Sequence, residues 1–428
     1  MSRRCQIVFL LLLAVLPICI VTKEFSTEHG FLDLPLFGKA FLPQALPIVQ
    51  EINPPARFEH GYDGQFYAQI ALSPLLTDSD LRRAIEDQPQ APDNLRYRAR
   101  RIGLPMLAYA AGLGHPAWIL QVYSVLNFFF WLGLMGLLAR YIGFAGIRER
   151  LLAVAILWTT GTLISVERAL TDLPSVTISM WGLLLAETQV VVAGGLLALA
   201  ALFRETSVLS FPALAWIDRE HPPRRLAWLV PLLVTPVALW LVYVRLQVPP
   251  QSSGQNLFSL PFVSWWEKIA PQLSRRPQPL VELLAPIAIF VQVGYFAIRP
   301  RLASSWWRWG VGWAALALVV GAPIWEEQYG YCRILLPLTV AFNVLIYQHE
   351  RNRSYALWFL LGNLWLFDHA MTNSPRWLDR ACLVWFAFEC WHHWSRTDVD
   401  LETRRVHQIA VLISPTPALK STSTSPAD

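Results

Sequence analysis

Apolar runs long enough to cross a lipid bilayer alternate with short polar segments along most of the chain. The first run covers about residues 5–21 and follows two arginines, Arg3 and Arg4. Further runs lie at about 104–114, 116–140, 150–166, 172–187, 189–203, 205–217, 226–248, 279–298, 306–323, 333–348, 354–370 and 377–391. Because roughly 20 apolar residues span a bilayer as a helix, the pattern predicts an all-α, polytopic transmembrane helical bundle of about 11–13 spans. The count depends on the short runs.

Two longer polar segments stand out from this pattern. Residues 22–103 separate the first apolar run from the next, and they contain short motifs rather than a continuous hydrophobic stretch. Residues 396–428 are rich in serine, threonine and proline, a composition typical of disordered chain. We therefore predict a single membrane domain, residues 1–395, followed by a disordered tail, residues 396–428.

The composition supports a membrane protein and excludes several other classes. Hydrophobic residues make up 54% of the chain and charged residues only 15%, whereas about 25% is usual in soluble domains. The net charge of +5 comes mostly from arginine, which in such a chain indicates topology and phosphate contacts rather than nucleic-acid binding. The five cysteines form no CxxC pair, so neither a disulfide framework nor a zinc site is predicted.

Arginine-rich segments follow alternate predicted spans and so predict an orientation. They lie at positions 140–150, 219–225, 299–308 and 351–353. If the short run 104–114 is re-entrant or packs without crossing, all four fall on the side of Arg3 and Arg4, which the positive-inside rule makes cytoplasmic. The first run is then a signal anchor, and residues 22–103 are extracytoplasmic. Arginines at 275–276 and 376–380 lie on the opposite side, and the side of the tail stays open.

The stretch from Glu59 to Tyr67 carries the clearest candidate chemistry. Asp63 lies between Gly61 and Gly64, on a backbone free to form turns. Aromatic neighbours can build a partly apolar wall, which would raise the pKa of the carboxyl group and suit a general base. The alternative interpretation is an amphipathic loop-to-helix junction that lies on the membrane surface, with its aromatic side chains as interfacial anchors.

Other ionisable residues occur at the ends of predicted spans, where burial of charge marks functional candidates. Arg204-Glu205 could equally be a local ion pair that ends a helix, and Arg333 could belong to an interfacial cluster of snorkelling side chains. Asp172 is predicted to be a helix N-cap. Residues 78–80, DSD, resemble a metal-binding DxD motif but favour a solvated helix start capped by Asp80. No Walker, GxGxxG or HExxH motif occurs, and no metal or cofactor is predicted.

An acid, several arginines and many aromatic residues thus fall on one predicted face of the membrane. Arginines bind phosphate through bidentate, charge-assisted hydrogen bonds. Aromatic rings suit sugars or lipid tails, and a carboxylate can accept the proton of an incoming hydroxyl group. Together these parts are typical of group transfer from a lipid phosphate, which leaves as a stable anion.

Residues 62–67, YDGQFY, and the segment that follows them to Pro74 resemble the first-outer-loop signature of a known family. Its members are bacterial multispanning proteins linked to cell-surface glycopolymer formation and related to the GT-C class of glycosyltransferases. Residues 97–105, 204–207 and 333–337 are similar to further motifs of that family. The resemblance covers most of the membrane region and is most specific at residues 62–67.

The resemblance implies a GT-C-like inverting glycosyltransferase of the bacterial inner membrane. Asp63 would deprotonate an acceptor hydroxyl group, which attacks the anomeric carbon of a polyprenyl-phosphate-linked sugar. The implied partners are this donor, a glycan or lipid-linked acceptor, and membrane lipids. Phosphate contacts are predicted from Arg204 and Arg333, and next from Arg100 and Arg101. The remaining predicted substrate contacts are Tyr62, Gln65, Phe66, Tyr67, His60 and Glu205.

Two alternatives from other classes remain at this point. A transporter or flippase for a lipid-linked glycan would use the same arginines without a base, and a non-catalytic assembly subunit would not need Asp63 at all. A transporter is expected to carry ionisable residues near the middle of its spans and often an internal repeat. The charges here cluster at one boundary and we find no repeat, which favours the enzyme.

Overall fold

The computed structural model describes residues 3–86, 94–214, 224–250, 257–274, 281–326 and 330–366. All of them belong to one compact unit, Met1–Ser374. The predicted last span, residues 377–391, and the predicted disordered tail lie outside the described residues. Within the described ranges every regular element is a helix, joined by turns and isolated bridges, which confirms the all-α prediction.

The first part of the chain contains one long helix followed by short ones. The elements are α1 (Arg3–Lys23), a 3₁₀ helix η1 (Leu42–Gln44), α2 (Pro47–Ile52), α3 (Gly64–Leu72), α4 (Ser79–Glu86), α5 (Leu95–Arg98) and α6 (Gly103–Ala111). At α4 the carboxylate of Asp78 accepts a hydrogen bond from the backbone nitrogen of Asp80 at 2.8 Å. Asp78, rather than the predicted Asp80, therefore caps this helix.

Most helices in the rest of the described chain are longer. The elements there are α7 (Pro116–Ile142), α8 (Ile147–Leu157), α9 (Thr160–Glu167), α10 (Asp172–Leu185), α11 (Val190–Phe203), the 3₁₀ helix η2 (Glu205–Leu214), α12 (Arg224–Gln247), α13 (Val263–Ser274), α14 (Val281–Ile298), α15 (Ser305–Val319), α16 (Ala322–Glu326), α17 (Gly330–Ile334), α18 (Leu336–His349) and α19 (Asn352–Gly362). The start of α7 at Pro116 and its end at Gly143, which has a φ of +74°, follow the usual proline and glycine preferences.

Among the described residues, three helical segments are long and apolar enough to cross a membrane: Cys5–Lys23, Pro116–Ile142 and Leu229–Gln247. A fourth forms if α8 and α9, which are bent by 46° at their junction, act as one span. Helix α6 has nine residues, about 14 Å at 1.5 Å per residue, and cannot cross a bilayer alone. The apolar helices support insertion into a membrane.

Residues 24–86 and 94–102 fold onto the ends of the longer helices rather than forming an open loop. Phe37, Val49 and Tyr67 of this segment belong to one buried apolar cluster together with Tyr123 of α7 and other residues of α6, α11 and α12. Polar contacts reinforce this layer, since the Trp240 indole nitrogen donates to the carbonyl oxygen of Ala99 at 2.8 Å. The layer therefore gives Asp63 a fixed position against the helices.

Polar contacts gather at two opposite ends of α18. At the C-terminal end, Arg148 donates to the carbonyl oxygens of Tyr347 at 2.7 Å and Glu350 at 2.5 Å. Close to the other end, Arg333 of α17 contacts Asp63 at 2.6 Å. Because α18 has 14 residues, the two groups of contacts, called here the Arg148 end and the Asp63 end, lie about 20 Å apart.

Candidate functional site

A tight turn and a buried helix fix the backbone around Asp63. The Tyr62 nitrogen donates to the Leu36 carbonyl oxygen at 3.0 Å, and Gly61 adopts a left-handed φ of +64°. A Cβ atom on Gly64 would meet the backbone carbonyl oxygens of Arg168 and Pro35, the second at 2.8 Å. Asp63 occupies the N-cap position of α3, but its side chain does not cap the helix.

The carboxylate of Asp63 is held between two guanidinium groups instead. Arg98 approaches one oxygen at 2.8 Å and Arg333 the other at 2.6 Å. The Asp63 side chain keeps 16% of its surface exposed. Burial raises the pKa of the Asp63 carboxyl group, but Arg98 and Arg333 together outweigh burial and hold this pKa well below its usual range. The predicted upward shift is therefore wrong, and the group is ionised.

Aromatic rings surround this ion pair, as the sequence predicts. Arg333 lies over the Tyr62 ring, with 5.3 Å from guanidinium carbon to ring centroid. Arg98 lies over the rings of Phe66 and Tyr67 at 5.2 and 5.7 Å. The π faces stabilise the guanidinium groups and shield them from solvent. The aromatic residues thus contact the arginines that bind Asp63.

A second carboxylate, Asp172, continues the network on the side of α10. It lies at N1 of this helix and pairs with Arg204, while Arg333 approaches its other oxygen at 3.9 Å. Its side chain is only 1% exposed. The predicted N-cap role is wrong, because Thr171 holds that position and Asp172 is a buried ion-pair partner. Arg333 therefore connects Asp63 to Asp172.

A third carboxylate, Glu205, pairs with Arg101 through two hydrogen bonds of 2.8 and 3.0 Å. Arg101 also donates to the hydroxyl oxygens of Tyr67 at 2.7 Å and Tyr97 at 2.6 Å. The alternative of a local Arg204–Glu205 pair is not what the structure contains, since each residue pairs with a different, distant partner. Bidentate geometry and burial make this pair a rigid connection between α5–α6 and η2.

The ion pairs of these three carboxylates make one charged cluster at the Asp63 end. Its carboxylates are Asp63, Asp172 and Glu205, and its arginines are Arg98, Arg101, Arg204 and Arg333. Arginines of this cluster could bind an anionic ligand such as a phosphate group through charge-assisted hydrogen bonds. In the part of the chain that the structure describes, no group of three or more His, Cys, Asp or Glu side chains could hold a metal ion.

The remaining predicted site residues have different surroundings. Gln65 is buried and structural, since it accepts from the Gly38 nitrogen at 3.0 Å and donates to the His60 carbonyl oxygen at 3.1 Å. The His60 side chain is exposed, and Arg100 is half-buried beside Tyr97. The contacts of Gln65, His60 and Arg100 do not test their predicted roles in substrate binding, which stay predictions.

Sequence reasoning missed Arg98 and the pairing of Asp172. The run of residues 96–101 contains four arginines, and its pattern does not say which of them faces Asp63. Because Arg98 and Arg101 are three positions apart across the end of α5, both can face the same side. The three-residue spacing is the sequence feature that could have indicated that Arg98 and Arg101 face the same site.

No protein-family model matches this chain, and neither curated proteins nor solved structures contain a match to it.

Proposed function

We propose that the protein is a multi-pass membrane glycosyltransferase of the bacterial inner membrane, with the Asp63 end facing the extracytoplasmic side. Its donor is a polyprenyl-phosphate-linked sugar, and its acceptor is a hydroxyl group of a cell-envelope glycan or lipid-linked glycan. The described residues contain three or four apolar helices of crossing length, and the proposal includes the larger number of spans that the sequence predicts.

The observation that carries the proposal is the ionised, partly exposed Asp63 carboxylate within a cluster of arginines and aromatic rings. An ionised carboxylate can accept a proton, guanidinium groups can bind the phosphate of a donor, and aromatic rings can pack against a sugar. The cluster lies at one end of the helices, where a lipid-linked donor and a polar acceptor can both reach it. Arg148 and Arg299, from two of the predicted cytoplasmic arginine segments, both contact Glu350 at the Arg148 end, which supports the sidedness.

The reaction assigns a defined fate to each group. The acceptor oxygen bonds to the anomeric carbon, the bond from this carbon to the phosphate oxygen breaks, and polyprenyl phosphate leaves as an anion. The hydroxyl proton passes to the Asp63 carboxylate. Attack from the face opposite the leaving group inverts the anomeric configuration.

Arg98 and Arg333 have a specific task in this mechanism. While both contact Asp63, its pKa is low and it is a weak base. A donor phosphate that draws one guanidinium group away would raise the pKa of Asp63 in the complex. The base would thereby become stronger only when the donor is bound, which limits unproductive chemistry in the free enzyme.

A second candidate function is favoured by the same ion pairs. Both oxygens of Asp63 already contact arginines, as in a structural connection between α3, α5 and α17. A flippase or a non-catalytic assembly subunit for a lipid-linked glycan would use Asp63 in this way and would perform no bond cleavage.

Sealed proteoliposomes separate the two functions. Purified protein would be reconstituted with a panel of fluorescent polyprenyl-phosphate sugars and an acceptor glycan, and both sugar transfer and movement between leaflets would be measured. The glycosyltransferase produces polyprenyl phosphate and glycosylated acceptor in equal amounts. Movement of the intact donor between leaflets without bond cleavage would refute the enzyme. Asp33→Asn is a matched control, because Asp33 is also a buried, arginine-paired carboxylate of the same layer.

A further inference from the structure

A basic cavity lies beside the charged cluster and separate from Asp63. It has a volume of about 370 Å³ and is lined by Asn94, Arg96, Arg100 and Arg245. An adjoining cavity of about 150 Å³ shares the three arginines and adds Glu205, Leu241 and Val244. Arg96 and Arg100 are half-buried and Arg245 is exposed, so the cavity is accessible from outside.

The three arginines of this cavity differ from those of the charged cluster in their partners. Within the described ranges, no carboxylate forms an ion pair with Arg96, Arg100 or Arg245. Glu205, the carboxylate on the cavity wall, already accepts two hydrogen bonds from Arg101. Three positive charges therefore face one space with no ion-pair partner among the residues that the structure describes, and a phosphate group would supply the negative charge.

The opposite wall of the smaller cavity is apolar and belongs to α12. Leu241, Val244 and Arg245 are three and four positions apart and thus share one face of this helix. The segment Leu229–Gln247 of α12 is one of the three helical segments long and apolar enough to cross a membrane. An acyl or prenyl chain lying along α12 would place its phosphate near the end of the helix, at Arg245.

We infer that the cavity of Arg96, Arg100 and Arg245 binds the phosphate of the lipid-linked donor, with the lipid chain against α12. The inference rests on the proposed function and adds that the donor phosphate first contacts the cavity arginines rather than the arginines of the charged cluster. The cluster arginines Arg101, Arg204 and Arg333 each contact a carboxylate already, whereas the cavity arginines are available before any ion pair breaks.

The test measures binding without sugar or acceptor. Full-length protein in nanodiscs would be titrated with a fluorescent short-chain polyprenyl phosphate, and the dissociation constant read by anisotropy. We expect the Arg96→Gln/Arg100→Gln double variant to raise this constant by about tenfold or more, the loss expected for a charged hydrogen bond. The control Arg83→Gln, an exposed arginine of the same layer, should leave it unchanged. Arg245→Gln alone should weaken binding less, because this side chain is more exposed.

Two further arms identify the source of the phosphate. A competing polyprenol without phosphate should displace the probe poorly, and inorganic phosphate should compete only at far higher concentration. Binding that the double variant retains within twofold would overturn the inference, and so would a cavity that binds inorganic phosphate but not the lipid. If no sugar transfer is detected but lipid binding still depends on Arg96 and Arg100, the proposed function is rejected and the lipid-phosphate site is retained.

Discussion

The coupling between Asp63 and Arg333 is the most quantitative consequence of the structure. The two side chains are separated by 270 positions in sequence, and their charged atoms lie 2.6 Å apart. Only 16% of Asp63 and 7% of Arg333 is exposed. Replacing either side chain removes a connection between α17 and the layer formed by residues 24–86 and 94–102. The test is a double-mutant cycle of Asp63→Asn and Arg333→Gln.

A second pair in the same layer provides the comparison. Asp33 and Arg57 have the same 2.6 Å separation, but 53% of Arg57 is exposed. Burial raises the pKa of Asp33 above its ordinary value and outweighs the effect of Arg57, the reverse of the result at Asp63. A hydrogen bond to a charged group contributes about 1.5–3 kcal/mol, whereas a solvent-exposed pair contributes about 0–1 kcal/mol. We expect the coupling at Asp63–Arg333 to lie in the first range and that at Asp33–Arg57 in the second.

The measurement is reversible unfolding of the purified protein in mixed detergent, followed by tryptophan fluorescence, for the wild type and for the single and double variants of each pair. Arg98 still neutralises Asp63 in Arg333→Gln protein, so the single substitution should cost less than the roughly 3–5 kcal/mol seen when a buried charge loses its sole partner. Equal coupling energies in the two cycles would refute the reasoning from burial.

Three further outcomes follow from the same contacts. Gly64→Ala should lower stability by about 1–3 kcal/mol in thermal unfolding, because the added Cβ would meet backbone atoms. The control Gly136→Ala, which has open space around its Cβ, should not lower stability. Equal stability of the two variants would contradict the packing around Gly64. The arginine partners lower the pKa of Asp63, so kcat/KM for transfer should not fall between pH 7 and about pH 5 through protonation of this group. The contribution of the Asp63 ion pairs to stability should be lost only below about pH 4. A fall in kcat/KM with a midpoint near pH 6 would argue against the ion pairs. Arg101→Lys should lose the two-bond contact with Glu205 and weaken the site even though the charge is kept, and unfolding curves matching the wild type would reject that role.

Helix positions could be predicted from the sequence because they depend on local apolar runs. The predicted runs 116–140 and 189–203 correspond to α7 and α11 within a few residues. The predicted run 150–166 is divided at Trp158 and Thr159 instead. Next to this break, a Cβ atom on Gly161 would lie 3.1 Å from the Cα atom of Arg333, so close packing of α9 on α17 accompanies the bend. Such contacts between distant segments leave no periodic signal.

In the candidate site, too, local features can be predicted from the sequence and long-range contacts cannot. Asp63 could be identified from its glycine and aromatic neighbours, since these are adjacent in sequence. The sign of its pKa shift could not, because that sign depends on Arg98 and on Arg333, which are 35 and 270 positions away. The sequence predicts a cap role for Asp172 for the same reason, since its partner Arg204 is far away in sequence, at the C-terminal end of α11. Local pattern locates the acid, and tertiary contacts decide its charge.

The most direct test of the proposed function is the rate at which polyprenyl phosphate and glycosylated acceptor form together, for wild-type and Asp63→Asn protein. Both proteins must first be shown to be folded at the assay temperature, with Asp33→Asn as the matched control, because Asp63→Asn is itself expected to lower stability. Loss of a general base predicts a fall in kcat of about 10²–10⁴-fold for Asp63→Asn and little change for Asp33→Asn. Equal rates for Asp63→Asn and wild type would contradict the assignment of Asp63 as the base.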